Sequence, residues 1–380
     1  MKTIYLDNAA TTRVDDEVVK AMLPYFGEKF GNASSLHLLG REARDAVEKA
    51  RKTISEFINA EIDEVIFTSS GTESNNLAIK GLAEVNPEKK HIITSTIEHP
   101  AILEVCKYLK KKGYKIDYIP VDSEGIINLE ELKQKINDKT LLVSVMHVNN
   151  EIGTVQPIEE IGRICKDKKV LFHVDAVQGL GKLPIDVKKM NIDMLSASAH
   201  KINGQKGVGL FYIRKGIKIE PLLHGGKHEK GLRSSTENVP GIVGFEKAVE
   251  LAKEKMKKIG EIKKLRDDLL EQIFQINGVK LNGSREKRVF NNINVRFDDV
   301  EGESLVLMLD KEGIAASTGS ACSSHSLTPS HVLLAIGLKE EEAHGSLRLT
   351  LPWTITKQEV DYAAEKIKEI VEKLRSIYGK

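Results

Sequence analysis

The sequence predicts an α/β fold in which a mostly parallel sheet is flanked by helices, together with a smaller α+β domain. The first observation is an alternation of helical and strand patterns from about residue 40 to residue 215. The second is that the strand candidates are short and continuously apolar, as in sheets covered on both faces. The third is a change beyond about residue 260, where widely spaced strand candidates precede one long amphipathic helix.

The elements follow in order along the chain. An amphipathic helix covers residues 43–58, and further helices are predicted near residue 72 and over 101–111 and 158–166. The strand candidates between them are 64–68, 91–94, 115–120, 141–147 and 170–174. A long apolar stripe over 245–262 is expected to lead into the small domain, which has strand candidates at 292–296 and 346–349 and a last helix over 360–374. We expect a large domain over residues 15–258 and a small domain formed by 1–14 and 259–380.

The composition is that of a globular protein and gives no electrostatic sign of a nucleic-acid or membrane partner. Of the 380 residues, 41% are hydrophobic, and 57 basic residues are nearly cancelled by 55 acidic ones. Residues 1–16 lack the basic and apolar regions of a signal peptide, and no apolar run is long enough to span a bilayer. Three widely spaced cysteines suit free thiols in a reducing compartment. We therefore expect a cytoplasmic protein that binds neither membranes nor nucleic acids directly.

Residues 68–73, Thr-Ser-Ser-Gly-Thr-Glu, form a candidate phosphate-binding turn. The motif follows a strand candidate and opens a helix. Gly71 permits a tight turn, and Thr72 with the free N–H groups of the first helical turn can hold a phosphate. Ser and Thr are also standard N-cap residues, so for this motif alone an ordinary helix start is the more common explanation.

Asp175 ends an apolar strand candidate, and Gln178 follows three residues later. A carboxylate at the carboxyl end of a parallel strand lies where such sheets bind ligands. If the ligand is a pyridinium, this carboxylate would keep the ring nitrogen protonated and make the ring an electron sink. Capping of the following turn by Asp175 is the alternative interpretation.

Lys201 lies between a segment of small residues and a run of glycines. A lysine that forms a Schiff base needs a lowered pKa and a close backbone approach, and this setting suits both. Ser198 and His200 could add phosphate contacts. A solvated lysine in a surface loop is the alternative from this motif alone.

Cys322 lies in the Gly/Ser-rich segment 317–324. Free cysteines are mostly buried, so one in such a loop indicates a nucleophile. Cys106 and Cys165 fall on helical patterns and are assigned to packing. His325 follows Cys322 at a C-x-x-H spacing, but no second pair of ligands lies at the required separation, and we predict no metal site.

Taken together and in this order, the motifs resemble the NifS/IscS group of cysteine desulfurases, a branch of the class V aminotransferases within the fold-type I pyridoxal phosphate (PLP) enzymes. The resemblance covers nearly the whole chain. Its matching segments are 5–12, 31–35, 70–75, 98–100, 149–154, 173–178, 198–201, 233–236, 319–322, 329–331 and 346–348. The Gly-Ser-Ala-Cys sequence at 319–322 is the part that is specific for the desulfurase branch.

This resemblance implies that the chain binds pyridoxal 5'-phosphate in a fold-type I PLP-dependent transferase fold. Lys201 is expected to form the Schiff base and to move the Cα proton, and His99 to stack on the ring. Asp175 is expected to pair with the ring nitrogen and Gln178 with the ring hydroxyl. The other implied cofactor-binding residues are Gly71, Thr72, Asn150, Ser198, His200 and Thr236, the last reaching the phosphate of the other subunit.

The resemblance also implies a substrate and partners. Arg348 is expected to bind the carboxylate of L-cysteine through its planar fork, with Asn150 close by. Cys322 would accept the sulfur as a persulfide, and alanine would leave. The implied assembly is a homodimer, and the implied partner is a sulfur-acceptor protein such as an iron–sulfur scaffold, in the synthesis of iron–sulfur clusters or of thiolated tRNA and cofactors.

Departures and alternatives stay open at this point. Residues 351–353, Leu-Pro-Trp, stand where the family has a glycine after the strand of the substrate arginine, and are expected to alter the substrate-side wall. Gln205 and Ser235 replace a usual proline and glycine. A selenocysteine lyase would use the same pocket. An aminotransferase would not need Cys322, and a scaffold protein with this fold would not need Lys201.

Overall fold

The computed structural model describes residues 3–319 and 329–378, and its central feature is a seven-stranded sheet. The strands of the described chain are β1 (Ile4–Tyr5), β2 (Val65–Thr68), β3 (His91–Ser95), β4 (Lys115–Ile119), β5 (Thr140–Met146), β6 (Leu171–Asp175), β7 (Met194–Ser198), β8 (Gly209–Ile213), β9 (Val279–Leu281), β10 (Asn292–Phe297), β11 (Ile314–Ala315) and β12 (Ser346–Thr350). The order in the large sheet is β2-β8-β7-β6-β5-β3-β4. Six of these strands run in one direction, and β8, between β2 and β7, runs opposite to them. The predicted mostly parallel sheet is therefore confirmed.

Helices flank this sheet because its strands, apart from the edge strand β4, have no polar face to expose. Strands β5 and β8 are buried at every position. The helices are α1 (Asp16–Met22), α2 (Leu38–Phe57), α3 (Gly71–Asn76), α4 (Leu82–Glu84), α5 (Pro100–Lys111), α6 (Leu129–Lys135), α7 (Ile158–Asp167), α8 (Val239–Lys255), α9 (Ile259–Ile273), α10 (Gly302–Lys311), α11 (His331–Ala335), α12 (Glu340–His344) and α13 (Lys357–Tyr378). A π-helical turn, Leu77–Gly81, joins α3 to α4. Across residues 3–319 and 329–378, the structure has no helix with the length and apolar character to cross a bilayer.

The predicted strands differ from the observed ones by no more than one residue at each end. Strand β6 ends at Asp175, as its motif predicts, so that carboxylate is the last residue of the strand. Strands β5, β6 and β7 are parallel neighbours, so their carboxyl ends meet at one edge of the sheet. The fold therefore brings together the ends of β5, β6 and β7, where ligands of open α/β sheets bind.

A second layer of structure is built from the carboxyl-terminal part of the chain and from strand β1. Strands β9, β10 and β12 form an antiparallel sheet, and β1 pairs in parallel with β11. Apolar side chains of β10, β12, α9, α10 and α13 share one buried cluster with Ile4 and Leu6. The apolar stripe over 245–262 is divided between α8 and α9 by a 3-10 turn, Met256–Lys258. The domain boundary at 258/259 stays a prediction.

Candidate active site

A cavity of about 300 Å³ lies at the carboxyl ends of the parallel strands. The predicted site residues that line it are Gly71, Thr72, His99, Asn150, Asp175, Gln178, Ser198, His200, Lys201 and Arg348. Thr236 is exposed and does not line this cavity. Cys322 lies outside the described residues. Residues far apart in sequence are therefore brought to one place, as expected for a ligand site of an α/β fold.

The end of the cavity predicted to bind phosphate is formed where β2 turns into α3. Ser70 caps the helix, with its Oγ accepting from the N–H of Glu73 at 3.1 Å. A Cβ at Gly71 would lie 2.4 Å from Cγ2 of Val177, so only glycine allows this close approach. The backbone N–H groups at the start of a helix favour an anion. This turn therefore fits a phosphate group.

His200 and Ser198 face the same end of the cavity from the end of β7. His200 Nδ1 lies 3.1 Å from Oγ1 of Thr11. Burial lowers the pKa of His200 to about 4, with a further contribution from the neighbouring positive charge of Lys201. With only the protein's own groups around it, His200 is therefore neutral at physiological pH, and its ring can form a hydrogen bond to a phosphate.

Asp175 is buried at the base of the cavity, and both of its carboxylate oxygens are held. Oδ2 accepts from Nδ2 of Asn75 at 2.8 Å, and Oδ1 accepts from the N–H of Val177 at 3.0 Å. No sequence motif predicted a role for Asn75, although it lies in the segment 70–75 that carries the resemblance. A fixed, buried carboxylate is suited to hold a protonated ring nitrogen.

Lys201 ends the 3-10 turn Ala199–Lys201 that follows β7, and its side chain reaches the amino-terminal segment. Nζ donates to the carbonyl oxygens of Ala9, at 2.5 Å, and Ala10, at 2.7 Å. Nε2 of Gln178 donates to the same Ala9 oxygen at 2.9 Å. Ala9 and Ala10, within the matching segment 5–12, therefore line the site and hold Lys201 through their backbone carbonyls, a role that side-chain patterns do not reveal.

His99 is the N-cap of α5, and its tautomer follows from its contacts. The N–H of Ala101 donates to Nδ1 at 3.1 Å, so the proton of the neutral ring is on Nε2. Burial lowers the pKa of His99, the charge of Lys201 lowers it further, and Asp175 opposes both effects. A second imidazole, His331, also lines the cavity and donates from Nε2 to the carbonyl of Glu98 at 3.0 Å. His331 lies in the matching segment 329–331, but no motif predicted a role for its side chain.

Arg348 is completely buried on β12, and its guanidinium is held by three groups. Nη2 lies 2.7 Å from Oδ1 of Asp7. Nη1 donates to the carbonyl of Asn150 at 3.2 Å and to the carbonyl of Gly319. Because its position is fixed while it still lines the cavity, this side chain is suited to bind a carboxylate.

The sequence predicts that residues 351–353 alter the substrate-side wall of the cavity. In the part of the chain that the structure describes, this prediction is wrong. None of the three lines the cavity. Leu351 is buried, and the ring of Trp353 packs against Phe290 with 4.7 Å between centroids. The departure therefore lies in the packing of the small sheet, because the chain turns away from the cavity after β12.

The donor set fits pyridoxal phosphate. A helix start with neighbouring polar groups suits its phosphate, the amine of Lys201 suits its aldehyde, and the fixed carboxylate of Asp175 suits its ring nitrogen; all of these groups line the same cavity. Asn75 Oδ1, next to that carboxylate, is buried without a hydrogen-bond partner among the described residues, as in a polar site shaped for a further group. The fold and the site together define a PLP-dependent enzyme of fold type I.

Comparison with known proteins gives the family. The pattern of the aminotransferase class-V family matches residues 4–363. Cysteine desulfurase IscS of Methanosarcina thermophila is 53% identical over 378 residues, 99% of this chain and 94% of the relative. Cysteine desulfurase IscS 1 of Archaeoglobus fulgidus is 51% identical over 375 residues, 98% of each chain. The chain therefore belongs to the class-V aminotransferase family, in its cysteine desulfurase branch, and its cofactor is PLP.

Solved structures agree with this assignment. A NifS-like protein superposes with a TM-score of 0.92 at 43% identity, covering 98% of this chain and 100% of the other. The structure of SspA in complex with cysteine superposes with a TM-score of 0.83 at 40% identity, covering 92% and 99%. The predicted family and fold are thus confirmed over almost the full chain.

Proposed function

We propose that the chain converts L-cysteine to L-alanine and transfers the sulfur to Cys322 as a persulfide. One observation carries the proposal beyond the family resemblance. Arg348, the candidate carboxylate-binding residue, lines the same cavity as Lys201 and donates a hydrogen bond to the carbonyl of Gly319. Gly319 is the last described residue before the segment that contains Cys322. A substrate held by Arg348 is therefore bound beside the start of that segment.

The cofactor and Lys201 divide the first part of the reaction. Bound PLP supplies an electron-withdrawing ring that stabilises the negative charge left when the substrate loses its Cα proton. Lys201 holds the cofactor and moves that proton. Asp175, fixed by Asn75 and by the N–H of Val177, keeps the ring nitrogen protonated. Asp175 does this without moving, because both of its carboxylate oxygens are already held by the protein.

Arg348 and His99 act on the substrate. The guanidinium binds the substrate carboxylate and sets its orientation, with Asn150 at the same side of the cavity. Because Nδ1 of His99 accepts from the backbone, Nε2–H is the group left for the substrate. Neutral His99 therefore donates to the substrate sulfur or ring system and does not repel a cationic amine.

Sulfur transfer is a displacement at sulfur. The Cys322 thiolate attacks the substrate sulfur, a new S–S bond forms, and the C–S bond breaks with its electron pair staying on the substrate carbon. That carbon takes up a proton, and alanine leaves. The persulfide then passes its outer sulfur to a thiol of an acceptor protein, such as an iron–sulfur scaffold.

A homodimer is part of the proposal. Apolar side chains are exposed along one stretch of the chain, namely Val19, Leu23, Phe26, Phe30, Leu36 and Leu38. Exposed apolar side chains gathered in this way are typical of an interface. Thr236, exposed and outside its own cavity, is then available to the phosphate of the partner's cofactor. Light scattering coupled to size exclusion should give twice the 42.2 kDa chain mass, whereas a monomer would contradict this part.

The test is product analysis with L-cysteine and a reductant. Alanine and sulfide should appear in equal amounts, and Cys322→Ala and Lys201→Ala should each abolish both. Cys106→Ala is the matched control, because burial raises the pKa of that thiol to about 12 and it should retain both products. Pyruvate, or keto-acid-dependent products that are indifferent to Cys322, would contradict the proposal. Relative rates on cysteine and selenocysteine separate a desulfurase from a selenocysteine lyase.

A further inference from the structure

Lys182 is buried directly behind the active site and has no role in the mechanism given above. It is 6% exposed and does not line the cavity. Its Nζ donates to Oε1 of Gln178 at 2.6 Å. Within residues 3–319 and 329–378, no carboxylate forms an ion pair with it. Burying a lysine without a counter-charge costs folding free energy, so its position here needs a specific structural reason.

The backbone is shaped to direct this lysine inward. Gly181, with φ +68°, has no space for a Cβ, which would lie 2.9 Å from Cγ2 of Ile202 and 3.0 Å from Cβ of Ala252. Gly179 is equally confined, because a Cβ there would lie 2.4 Å from Nδ1 of His147. Two tight turns after β6 thus bring Lys182 back onto Gln178, four residues earlier. The conformation of this turn therefore fixes the position of Lys182, which is not the chance burial of a long side chain.

The contacts of Gln178 define which way its amide faces. The carbonyl of Ala9 can only accept, so it must face Nε2, and Oε1 then faces Nζ of Lys182, which in its charged form can only donate. The two neighbours require the same orientation. The second N–H of Nε2 is then left for the cavity that Gln178 lines. A cation at the oxygen end also polarises the amide and strengthens its N–H groups as donors.

The electrostatic environment of Lys182 agrees with its contact to Gln178. Burial lowers its pKa to about 7, and the positive charges of Lys201 and Arg348 contribute to that lowering. The same repulsion acts in the opposite direction, so charge on Lys182 disfavours a proton on the nitrogen of Lys201. Lys182 is therefore placed to affect both Gln178, the expected donor to the cofactor ring, and Nζ of Lys201, the nitrogen expected to bind the cofactor.

We propose that Lys182 is a positioning residue that holds Gln178 with Nε2–H toward the cavity, as the hydrogen-bond donor to the ring oxygen of the cofactor. The inference rests on the proposed role of Gln178 and extends it to a residue that never touches the cofactor. It makes Lys182 and Gln178 one unit, so the two should not contribute independently.

The experiment is a double-mutant cycle on the holoenzyme with Lys182→Met, Gln178→Met and the double variant. Two quantities are measured: the affinity of the apo-protein for PLP, and the pH midpoint of the visible absorbance of the bound cofactor. Lys182→Met should weaken PLP binding by about tenfold and move the midpoint upward by about one pH unit. The double variant should be no worse than Gln178→Met alone, because the lysine acts through the glutamine.

Two further variants make the result decisive. Lys182→Gln keeps a donor but removes the charge, so it should retain most of the affinity and still move the midpoint upward. If Lys182→Met does not fold, this upward shift of the midpoint in Lys182→Gln is the test. Lys188→Met, at an exposed lysine six residues on, should match the wild type. Additive effects in the cycle, or a loss of thermal stability with unchanged affinity and midpoint, overturn the proposal. A wild type that shows no cofactor band would instead overturn the proposed function itself.

Discussion

Asp7 and Arg348 form a buried ion pair that joins the amino-terminal segment to strand β12, with 2.7 Å between Oδ1 and Nη2. Arg348 is 1% exposed on its side chain and Asp7 is 17% exposed. The carbonyls of Asn150 and Gly319 hold the other nitrogen of the fork. The guanidinium therefore loses little conformational entropy when a carboxylate binds, because its orientation is already set by the fold.

Asp7→Asn should raise KM for L-cysteine by about tenfold while kcat changes less, because the fork loses its charged anchor before the substrate arrives. Steady-state sulfide release measures both constants. Asp16→Asn is the control, since Asp16 pairs with Arg13 at the surface and such pairs contribute little. An unchanged KM for the Asp7 variant would show that the two carbonyls alone orient the arginine.

Gly71→Ala should weaken PLP binding by at least about tenfold with little effect on folding. The added methyl group would meet Cγ2 of Val177 at 2.4 Å, so the turn and Val177 must move apart at the phosphate end. Titration of apo-protein with PLP gives the affinity. Gly260→Ala is the control, because an added Cβ there meets no atom within 4 Å and alanine favours a helix. Equal affinities for the two variants would contradict a tight fit at Gly71.

Short sequence patterns predicted the parts of the fold and site that depend on residues close together in the chain. Continuous apolar runs gave the parallel strands, and the polar residue at the end of one of them was Asp175. Lys201 and the turn at Gly71 were found in the same way, from glycines and small residues beside a chemically useful side chain. These signals are short in sequence, so a single chain is enough to find them.

Such patterns could not predict contacts between segments that are far apart in the sequence. The pairs Asn75–Asp175 and Asp7–Arg348 join residues 100 and 341 positions apart. Strand β7, Met-Leu-Ser-Ala-Ser, was treated only as a small-residue segment because it lacks the β-branched residues typical of strands. The antiparallel direction of β8 depends on a connection that no spacing in the sequence specifies.

The acid limb of kcat/KM should lie below pH 6.5, the ordinary pKa of histidine, if His99 must be neutral to act. Burial and the charge of Lys201 lower the pKa of His99, so it loses its proton before the pH reaches that value and remains neutral above it. His99→Gln should remove this limb and lower kcat by about 10²-fold or more. His37, which caps α2 and does not line the cavity, offers the control variant His37→Asn, which should keep the limb. A limb that persists in His99→Gln would assign it to another group.

Glu98→Gln should make the protein more stable at pH 8 and change little near pH 4.5. Burial raises the pKa of Glu98 to about 8, from an ordinary 4.5. Between these values the unfolded chain has lost the proton and the folded chain keeps it, so wild-type stability falls as the pH rises through this window, by about 1 kcal/mol per pH unit. Glutamine mimics the protonated acid and removes this slope.

Urea unfolding at pH 5 and pH 8 measures the difference between Glu98→Gln and the wild type. Oε1 of Glu98 accepts from Ser95 and from the N–H of Met146, and the amide oxygen of the substituted glutamine would keep both contacts. Glu104→Gln, at an exposed carboxylate, should show no pH-dependent difference from the wild type. If the stability difference between Glu98→Gln and the wild type is the same at both pH values, Glu98 is ionised in the folded protein. That result would contradict the assignment of Glu98 as a protonated acid.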